Sequence, residues 1–333
     1  MGECRHTDVT TPVPGISKLE TAMSSPTYIL CPGQGAQAVG MGKDLFSASP
    51  AAKAVFDRAD EIIGFSLSDL CFGGPEDRLN QTDISQPAIY VTSIASFAAA
   101  RAAGLIDSSM IAGYAGLSLG EYTALHLAGV FGFEEGLKLV VARGRFMQEA
   151  AVASPSGMVA ILGADEAQVD QLCKDSAGGE VLVPANLNAP GQIVVSGSTG
   201  ACQRVLQAAE SAGFKAMSIK VAGAFHSPLM QPAADRMAGE LERVAFQSPA
   251  VPVYSNVTAQ PHGDPSSIKR LLVDQIISPV QWERTMKSVL TIAGARFVEL
   301  APGRTLAGLA KRINRRLPIE SFAGADGLKT AKA

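Results

Sequence analysis

The chain has 333 residues, of which 47% are hydrophobic and 18% charged, and its formal net charge is −3. This composition supports a sizeable core, excludes a globally disordered chain and gives no basic footprint for nucleic acid. The length favours a second or inserted domain beside the main one.

The five cysteines are odd in number and far apart along the chain. No pair has C-x-x-C spacing and no Cys/His cluster has the spacing of a zinc site. The pattern therefore predicts reduced thiols, no metal and a cytoplasmic location. No apolar run reaches about 18 residues, which argues against a membrane-spanning helix.

Residues 1–25 are polar and include two prolines and three acidic side chains. They lack the apolar stretch of a secretory signal, and their acidic residues speak against an organelle address. We expect a flexible N-terminal tail, with Met23 as a possible second start.

The first β-rich run, at 27–31, ends in Pro32-Gly33 and predicts a buried strand followed by a loop. The loop reads GQGAQA and fits the dinucleotide fingerprint G-x-G-x-x-A. That fingerprint needs an acid about 20 residues later at the end of a second strand, but Asp57 lies in a helical stretch. The alternative is a glycine-rich loop that offers a backbone N–H to an oxyanion.

Helical spacing is found over 50–63 and about 87–103, a buried strand is predicted at 110–115, and helices follow over 119–128 and 133–150. From 154 the order becomes strand, helix, strand, strand, helix, strand, with strands at 158–162, 180–184, 192–196 and 216–221 and helices over 164–175 and 199–212. This is the β-α-β-β-α-β order of a ferredoxin-like unit, in which Asn188-Ala189-Pro190-Gly191 is a turn signature.

Helices and short strands return after 221, at 229–244, 251–256, 268–277, 282–293, 297–300 and 305–315. We therefore expect a large α/β domain built from 26–153 plus 222–325. A ferredoxin-like subdomain at 154–221 is inserted into it, and tails lie at 1–25 and 326–333.

The sequence Gly116-Leu117-Ser118-Leu119-Gly120 lies between a predicted strand and a predicted helix. This strand–turn–helix context is the one a nucleophile elbow requires, with the serine hydroxyl pointing out of the bend. The N–H of Leu119, at the helix N-terminus, could stabilise an oxyanion. A helix N-cap serine without a chemical role explains the same pattern. The pentapeptide alone leaves both interpretations open.

A serine nucleophile needs a base, and the chain has four histidines. His6 lies in the tail, and His262 lies in a polar loop where we expect it to be solvated. His126 follows Ser118 by eight residues on one helix, about 12 Å along its axis, and cannot reach the hydroxyl. Elimination leaves His226, which follows a strand where the chain re-enters the large domain.

No acid completes a triad on sequence grounds. Asp235 and Glu299 are the candidates, and a backbone or amide carbonyl could orient the imidazole instead.

Arg143 lies on a largely apolar helix and is followed by glycine. A guanidinium can bind a substrate carboxylate through two hydrogen bonds. A surface ion pair is the other interpretation, and spacing alone favours it for both Arg143 and Arg145.

Seven stretches, in this order along the chain, resemble malonyl-CoA:acyl carrier protein transacylases: CPGQGAQAVGMGKDL, TDISQPAIY, GLSLGEYTAL, RGRFMQEA, NLNAPGQIVVSG, GAFHSPLM and LAPGRTLAGLAKRI. The likeness runs from about Thr27 to Arg316. It implies an α/β-hydrolase-like core with a parallel sheet and an inserted ferredoxin-like (βαββαβ) subdomain.

The resemblance also implies catalytic roles. Ser118 would be the acyl-accepting nucleophile and His226 its general base. The N–H groups of Gln34 and Leu119 would form the oxyanion hole, and the carbonyl of Gln275 would orient the histidine. The implied reaction is a ping-pong transfer of malonyl from malonyl-CoA to the phosphopantetheine thiol of acyl carrier protein for fatty acid synthesis, without a metal or nicotinamide.

The resemblance implies substrate contacts as well. Arg143 would bind the free carboxylate of malonyl, which reverses the interpretation from spacing. Asn186 and Asn188 match residues near the acyl and pantetheine chain, and Phe225 matches a malonyl-selective pattern. Leu117 departs from the family, since many members have histidine before the serine, and we expect it to tune the site.

Three alternatives remain: an acyltransferase that serves a polyketide synthase, a serine acyl hydrolase, and a non-catalytic scaffold that binds carrier protein. We expect a monomer. Carrier protein is acidic, and a basic helix end could dock it or could simply be solvated; it comprises Lys311, Arg312, Arg315 and Arg316.

Overall fold

The computed structural model describes residues 25–329. The predictions for the N-terminal tail up to residue 24, including His6 and Met23, lie outside the described residues, as do residues 330–333. A short helix, Ala325–Lys329, occupies the first positions of the predicted C-terminal tail.

A parallel sheet of five strands forms the centre of the larger part of the molecule. Its strands are β1 (Thr27–Cys31), β2 (Ile111–Gly116), β7 (Val253–Tyr254), β8 (Arg296–Leu300) and β9 (Ile319–Phe322), in the order β7-β2-β1-β8-β9. Every residue of β1 is buried, as expected for a central strand with both faces covered. The predicted strands at 27–31, 110–115 and 297–300 are confirmed to within one residue at each end.

Helices pack around this sheet. In the first half of the chain they are α1 (Lys43–Ala48), α2 (Pro50–Ile63), α3 (Leu67–Gly73), α4 (Glu76–Leu79), α5 (Thr82–Ala102), α6 (Leu119–Leu127) and α7 (Phe133–Ala153). After the second sheet they are α10 (Gln231–Glu242), α11 (Pro265–Ile277), α12 (Trp282–Val289), α13 (Thr305–Ile313) and α14 (Ala325–Lys329). No helix within 25–329 is both long and apolar enough to cross a membrane.

A second sheet, fully antiparallel, interrupts the larger part between α7 and α10. Its strands are β3 (Ser156–Leu162), β4 (Leu182–Ala189), β5 (Gln192–Ser198) and β6 (Lys215–Ile219), in the order β4-β5-β3-β6. Alternate residues of β3 divide between two clusters. Val159 and Ile161 pack with the helices α8 (Glu166–Ala177) and α9 (Thr199–Ser211), and Met158 packs with the core of the larger part. The order of elements predicted over 154–221 is confirmed.

Element boundaries differ from the prediction where tertiary contacts act. α5 begins at Thr82, five residues before the predicted start, and Pro87 lies inside it. The N–H of Thr82 donates to Oε1 of Gln148 at 2.9 Å, a cap supplied by α7 that no local pattern reveals. β4 runs to Ala189, so the predicted four-residue turn shortens to Pro190-Gly191, where Gly191 has a φ of 67°.

The strand register places two loops side by side. β1 pairs with β2 in parallel, and Cys31 lies opposite Gly116 at their carboxyl ends. The loop that contains Gln34 and the turn that contains Ser118 therefore leave the sheet at neighbouring positions.

Candidate active site

Ser118 lies on a strained turn between β2 and α6. Its φ of 51° and ψ of −106° are unusual for a residue that is not glycine. Gly116 and Gly120 make the turn possible, since a Cβ on either would lie within 3.0 Å of backbone atoms, those of Gly120 and of Cys31 respectively. This is the geometry of a nucleophile elbow, and Ser118 makes no side-chain cap hydrogen bond to α6. Ser118 occupies the N-cap position of α6, but its side chain caps no backbone donor, so the interpretation of Ser118 as a capping serine is wrong.

The loop after β1 packs directly against this turn. The N–H of Leu117 donates to the carbonyl of Cys31 at 3.0 Å, and a Cβ on Gly33 would lie within 3.0 Å of the carbonyl oxygen of Leu117. Gln34 follows Gly33 on this loop, and its side chain donates to Oγ1 of Thr82 at 3.4 Å. Leu119 is the first residue of α6, where a backbone N–H has no acceptor within the helix.

His226 is the histidine that meets Ser118. Its Nε2 lies 2.8 Å from Ser118 Oγ, and its Nδ1 lies 2.7 Å from the carbonyl oxygen of Gln275. A carbonyl can only accept, so Nδ1 carries the proton and the neutral ring presents the Nε2 lone pair to the hydroxyl. The backbone carbonyl therefore takes the orienting position.

The two acids considered for a triad are engaged elsewhere. Asp235 is exposed and accepts from the side chain of Gln231 at 2.6 Å. Glu299 is buried at the end of β8, where its carboxylate accepts the N–H groups of Leu306 and Ala307 at 2.7 and 2.9 Å. Neither contacts His226.

The surroundings of His226 keep its ring neutral. The side chain is 4% exposed, and burial together with the nearby charge of Arg143 lowers its pKa to about 4. The hydrogen bond to Gln275 acts in the opposite direction but is outweighed. At neutral pH the ring is able to accept a proton from Ser118.

Arg143 is 1% exposed and reaches the same oxygen. Its Nη2 donates to Ser118 Oγ at 3.1 Å and to Oε1 of Gln275 at 2.9 Å, and its Nη1 donates to Oε1 of Gln86 at 2.7 Å. The surface ion pair favoured by spacing is therefore wrong for Arg143. Gly144 explains the burial, since a Cβ there would lie within 3.0 Å of the carbonyl of Thr82 and would hold α7 away from α5.

The surface ion pair is confirmed for Arg145, whose exposed side chain lies 3.9 Å from the carboxylate of Glu149.

Within residues 25–329, Arg143 has no ion pair with a carboxylate. Both of its amide partners are neutral, and burial lowers its pKa. A buried guanidinium that donates to a hydroxyl and two amides, and lies over the ring of Tyr122, is able to bind an anionic group that enters the site.

Three polar side chains to which the sequence assigned no role hold Ser118, Gln275 and Arg143 in place. Asn256 accepts the N–H of Ser118 on Oδ1 at 2.6 Å and donates to the carbonyl of Gly116 at 2.7 Å. The carboxylate of Glu121 accepts from the side chain of Gln275 at 2.7 Å. Gln86 holds Arg143 as described above. Glu121 and Gln86 are each a polar residue within an otherwise apolar helical stretch. This pattern is the sequence signal that could have identified them.

His262 is buried, so the prediction of a solvated histidine is wrong. Its backbone N–H donates to the carbonyl of Val253 at 2.8 Å, and this hydrogen bond folds the polar loop back onto β7. Its Nε2 then lies 2.6 Å from Oε1 of Glu121. His126 stays away from Ser118, as predicted, and its Nδ1 lies 3.1 Å from the carbonyl of Phe131.

The remaining predicted site residues are two asparagines on the antiparallel sheet, Phe225 before His226, and Leu117 before Ser118. Asn186 and Asn188 are on β4, which is joined to the larger part through hydrogen bonds between Val280 and the backbone of Ala185 and Leu187. Oδ1 of Asn188 is buried and has no partner among the described residues. Phe225 is 5% exposed and belongs to the main core cluster beside His226, and Leu117 is half-buried. Their roles toward a substrate stay predictions.

Over the part of the chain that the structure describes, no group of three or more His, Cys, Asp or Glu side chains is arranged to hold a metal ion. The four described cysteines are buried and unpaired.

Comparison with known proteins agrees with this geometry. Residues 27–324 match the family model for the acyl transferase domain. The malonyl CoA-acyl carrier protein transacylase of Bacillus subtilis is 40% identical over 290 residues, which are 86% of this chain and 90% of that protein. The enzyme of the same name from Salmonella typhimurium is 40% identical over 283 residues, 85% of this chain and 91% of that protein.

Solved structures give the same result. The malonyl CoA-acyl carrier protein transacylase of Coxiella burnetii superposes with a TM-score of 0.89 at 38% identity, covering 93% of this chain and 98% of that one. A malonyl-transacylase solved in complex with a type II PKS acyl-carrier protein superposes with a TM-score of 0.88 at 36% identity, covering 92% and 99%.

Proposed function

Because the chain belongs to the malonyl CoA-acyl carrier protein transacylase family, we propose that its transfer reaction proceeds through a malonyl ester on Ser118. The reaction moves the malonyl group from malonyl-CoA to the phosphopantetheine thiol of acyl carrier protein and supplies fatty acid synthesis. The observation that carries the proposal is the contact of Ser118 Oγ with both His226 and Arg143.

In the first half-reaction His226 Nε2 takes the proton of Ser118 as Oγ attacks the thioester carbonyl. The oxyanion is held by the backbone N–H groups of Gln34 and Leu119. The close packing of Gly33 against the carbonyl of Leu117 supports this assignment. The C–S bond then breaks, the thiolate of CoA leaves with the proton from His226, and the malonyl ester remains on Ser118.

In the second half-reaction the thiol of phosphopantetheine gives its proton to His226 and attacks the ester. The tetrahedral intermediate collapses, the ester C–O bond breaks, and Ser118 recovers its proton from the imidazole. The carrier protein brings the phosphopantetheine, so we expect the enzyme to need no cofactor of its own.

Arg143 selects the acyl group in this proposal. The carboxylate of malonyl pairs with the guanidinium, which orients the thioester carbonyl toward Ser118, whereas acetyl offers no such partner. The pairing also restricts the malonyl ester to one orientation and so disfavours its loss to water. Asn186, Asn188 and Phe225 complete the acyl and pantetheine path.

Several finer assignments belong to the same proposal. The strand order β4-β5-β3-β6, in a β-α-β-β-α-β chain order, supports a ferredoxin-like subdomain at 154–221. The strand–elbow–helix unit on a parallel sheet supports an α/β-hydrolase-like core built from 26–153 plus 222–325. We further propose a cytoplasmic monomer that docks acidic carrier protein on an exposed basic surface at the C-terminal end of α13, formed by Lys311 and Arg312 of the helix and by Arg315 and Arg316 just after it.

Service to a polyketide synthase is the second candidate, favoured by the structural similarity to a malonyl-transacylase bound to a type II PKS acyl-carrier protein. Its chemistry and residues would be the same, and only the carrier protein would differ. A serine acyl hydrolase leaves the buried Arg143 without a purpose.

Steady-state kinetics test the proposal directly. Initial rates of malonyl transfer, measured over a grid of malonyl-CoA and holo-carrier protein concentrations, should give parallel double-reciprocal lines, as a ping-pong reaction does. Ser118→Ala should abolish transfer. Intersecting lines, or hydrolysis of malonyl-CoA faster than transfer to carrier protein, would overturn it.

A further inference from the structure

Glu121 is a buried carboxylate beneath the reacting groups, one turn after Ser118 on α6. Its Oε2 accepts from Nε2 of Gln275 at 2.7 Å and from the N–H of Asn256 at 3.0 Å. Its Oε1 lies 2.6 Å from Nε2 of His262, whose side chain is also buried. The reaction steps proposed above make no use of either residue, yet burying a charge is costly unless it is fully engaged.

Arg143 and the carboxylate of Glu121 together fix the orientation of the Gln275 side-chain amide. An arginine can only donate, so the atom facing Arg143 must be the amide oxygen. The amide nitrogen then faces two acceptors, Oε2 of Glu121 and the carbonyl of Ser118 at 3.0 Å. Both of its hydrogens are used, and a flipped amide would place its oxygen against two acceptors and its nitrogen against the guanidinium.

Gln275 connects this layer to both functional side chains. Its side-chain oxygen holds Nη2 of Arg143, and its backbone carbonyl accepts from Nδ1 of His226 at 2.7 Å. A displacement of Gln275 would therefore disturb the anion-binding group and the base together.

We propose that Glu121, anchored by His262, is a positioning residue that fixes Gln275 and through it sets the place of Arg143. The inference rests on the proposed function, since it assigns to Glu121 the malonyl selectivity attributed there to Arg143.

The charges are arranged to support this role. Burial lowers the pKa of Arg143, and Tyr122 and Glu121 both act in the opposite direction, although the neutral amide of Gln275 separates Glu121 from the guanidinium. The negative charge of Glu121, on the far side of the Gln275 amide, stabilises the guanidinium cation. The side of the guanidinium that faces the substrate is left without an acidic partner. A carboxylate in direct contact with Arg143 would instead compete with malonyl for the guanidinium.

His262 is the anchor because it occupies the second oxygen of the carboxylate. With Oε1 bound to the ring and Oε2 bound to Asn256, Glu121 has one orientation in which to meet Gln275. The loop of His262 is itself fixed by the hydrogen bond to Val253, so the anchor is tied to the central sheet.

The test measures the ratio of malonyl to acetyl loading, as kcat/KM for each CoA thioester, in Glu121→Gln, Gln275→Met and the double variant. Glu121→Gln is nearly isosteric and should lower the ratio by about ten- to hundredfold, the range for a lost hydrogen bond to a charged group. If Glu121 acts through Gln275, the double variant should match Gln275→Met within about twofold. Glu149→Gln, an exposed carboxylate on α7, is the matched control and should keep the wild-type ratio.

An unchanged ratio in Glu121→Gln, or independent effects that multiply in the double variant, would overturn the inference. If Glu121→Gln does not fold, a pair of variants at His262 tests the inference instead. His262→Gln keeps an N–H donor and should retain selectivity, whereas His262→Leu should lose it; equal ratios in the two would refute the anchor. Failure of the proposed function is distinguishable, since the wild-type enzyme itself would then show no preference for malonyl.

Discussion

Nη2 of Arg143 lies 3.1 Å from Oγ of Ser118, on the same oxygen that His226 approaches at 2.8 Å. The group proposed to bind the substrate carboxylate is therefore in contact with the proposed nucleophile. Its charge also contributes to the lowered pKa of His226. If Arg143 binds malonyl as proposed, one side chain therefore affects both the acyl selectivity and the pKa of the base.

Arg143→Ala should remove the preference for malonyl. Loss of a buried charge-assisted pair with the malonyl carboxylate should lower kcat/KM for malonyl-CoA by about a hundredfold or more and leave acetyl loading much less affected. Parallel loading assays with the two thioesters measure this. Arg145→Ala, which removes an exposed arginine two residues away, should keep the preference. Equal losses for malonyl and acetyl would remove the anion-binding role from the account.

The fall of the reaction rate at acidic pH reports the pKa of His226. With a pKa of about 4, the base is about 90% neutral at pH 5, whereas a histidine with an ordinary pKa of about 6.5 would be only about 3% neutral there. The rate of inactivation by phenylmethylsulfonyl fluoride should therefore change little between pH 7 and pH 5. This reagent does not ionise in that range, so the profile belongs to the enzyme. A midpoint near pH 6.5 would contradict the proposed environment.

Gly33→Ala should disturb the oxyanion site without touching a polar side chain. Its Cβ would press on the carbonyl of Leu117 and separate the loop of Gln34 from the elbow. Loss of one oxyanion donor costs about a hundred- to thousandfold, and malonyl loading should fall toward that range. Gly239→Ala is the matched control, because a Cβ at this position on α10 meets nothing within 4 Å. Loading rates within twofold of each other in the two variants would refute the role of the loop.

Charge reversal at the C-terminal end of α13, and just after it, tests the docking surface. Arg312→Glu combined with Arg315→Glu should raise the KM for acyl carrier protein about five- to tenfold at low salt and leave the KM for malonyl-CoA near its wild-type value. Lys174→Glu combined with Lys215→Glu, at two exposed lysines on α8 and β6, makes the same change in net charge and serves as the control. Equal increases for both substrates would argue against docking at this helix end.

The parts of the site that the sequence predicted are those with a local signature. Ser118 stands in a glycine-framed turn between a strand and a helix, and His226 follows from elimination among few histidines. Strand and helix periods likewise located most elements of both sheets, because burial of one face imposes those periods on the sequence.

The parts that the sequence did not reveal depend on distant partners. Helical spacing could show that Arg143 lies on an apolar helix but not that Gln86 and Gln275 would meet it there. His262 has polar neighbours in sequence, yet a backbone hydrogen bond folds it over Glu121, 141 positions earlier. Such contacts arise from packing between elements, and no local pattern encodes them.

The covalent intermediate offers the most direct test of the central claim. Purified protein is mixed with malonyl-CoA, and its intact mass and active-site peptide are then determined by mass spectrometry. We expect one malonyl group on Ser118, none in Ser118→Ala, and rapid loss of the group when holo-acyl carrier protein is added. Absence of the adduct, its attachment to another residue, or decay in water as fast as with carrier protein would contradict the account.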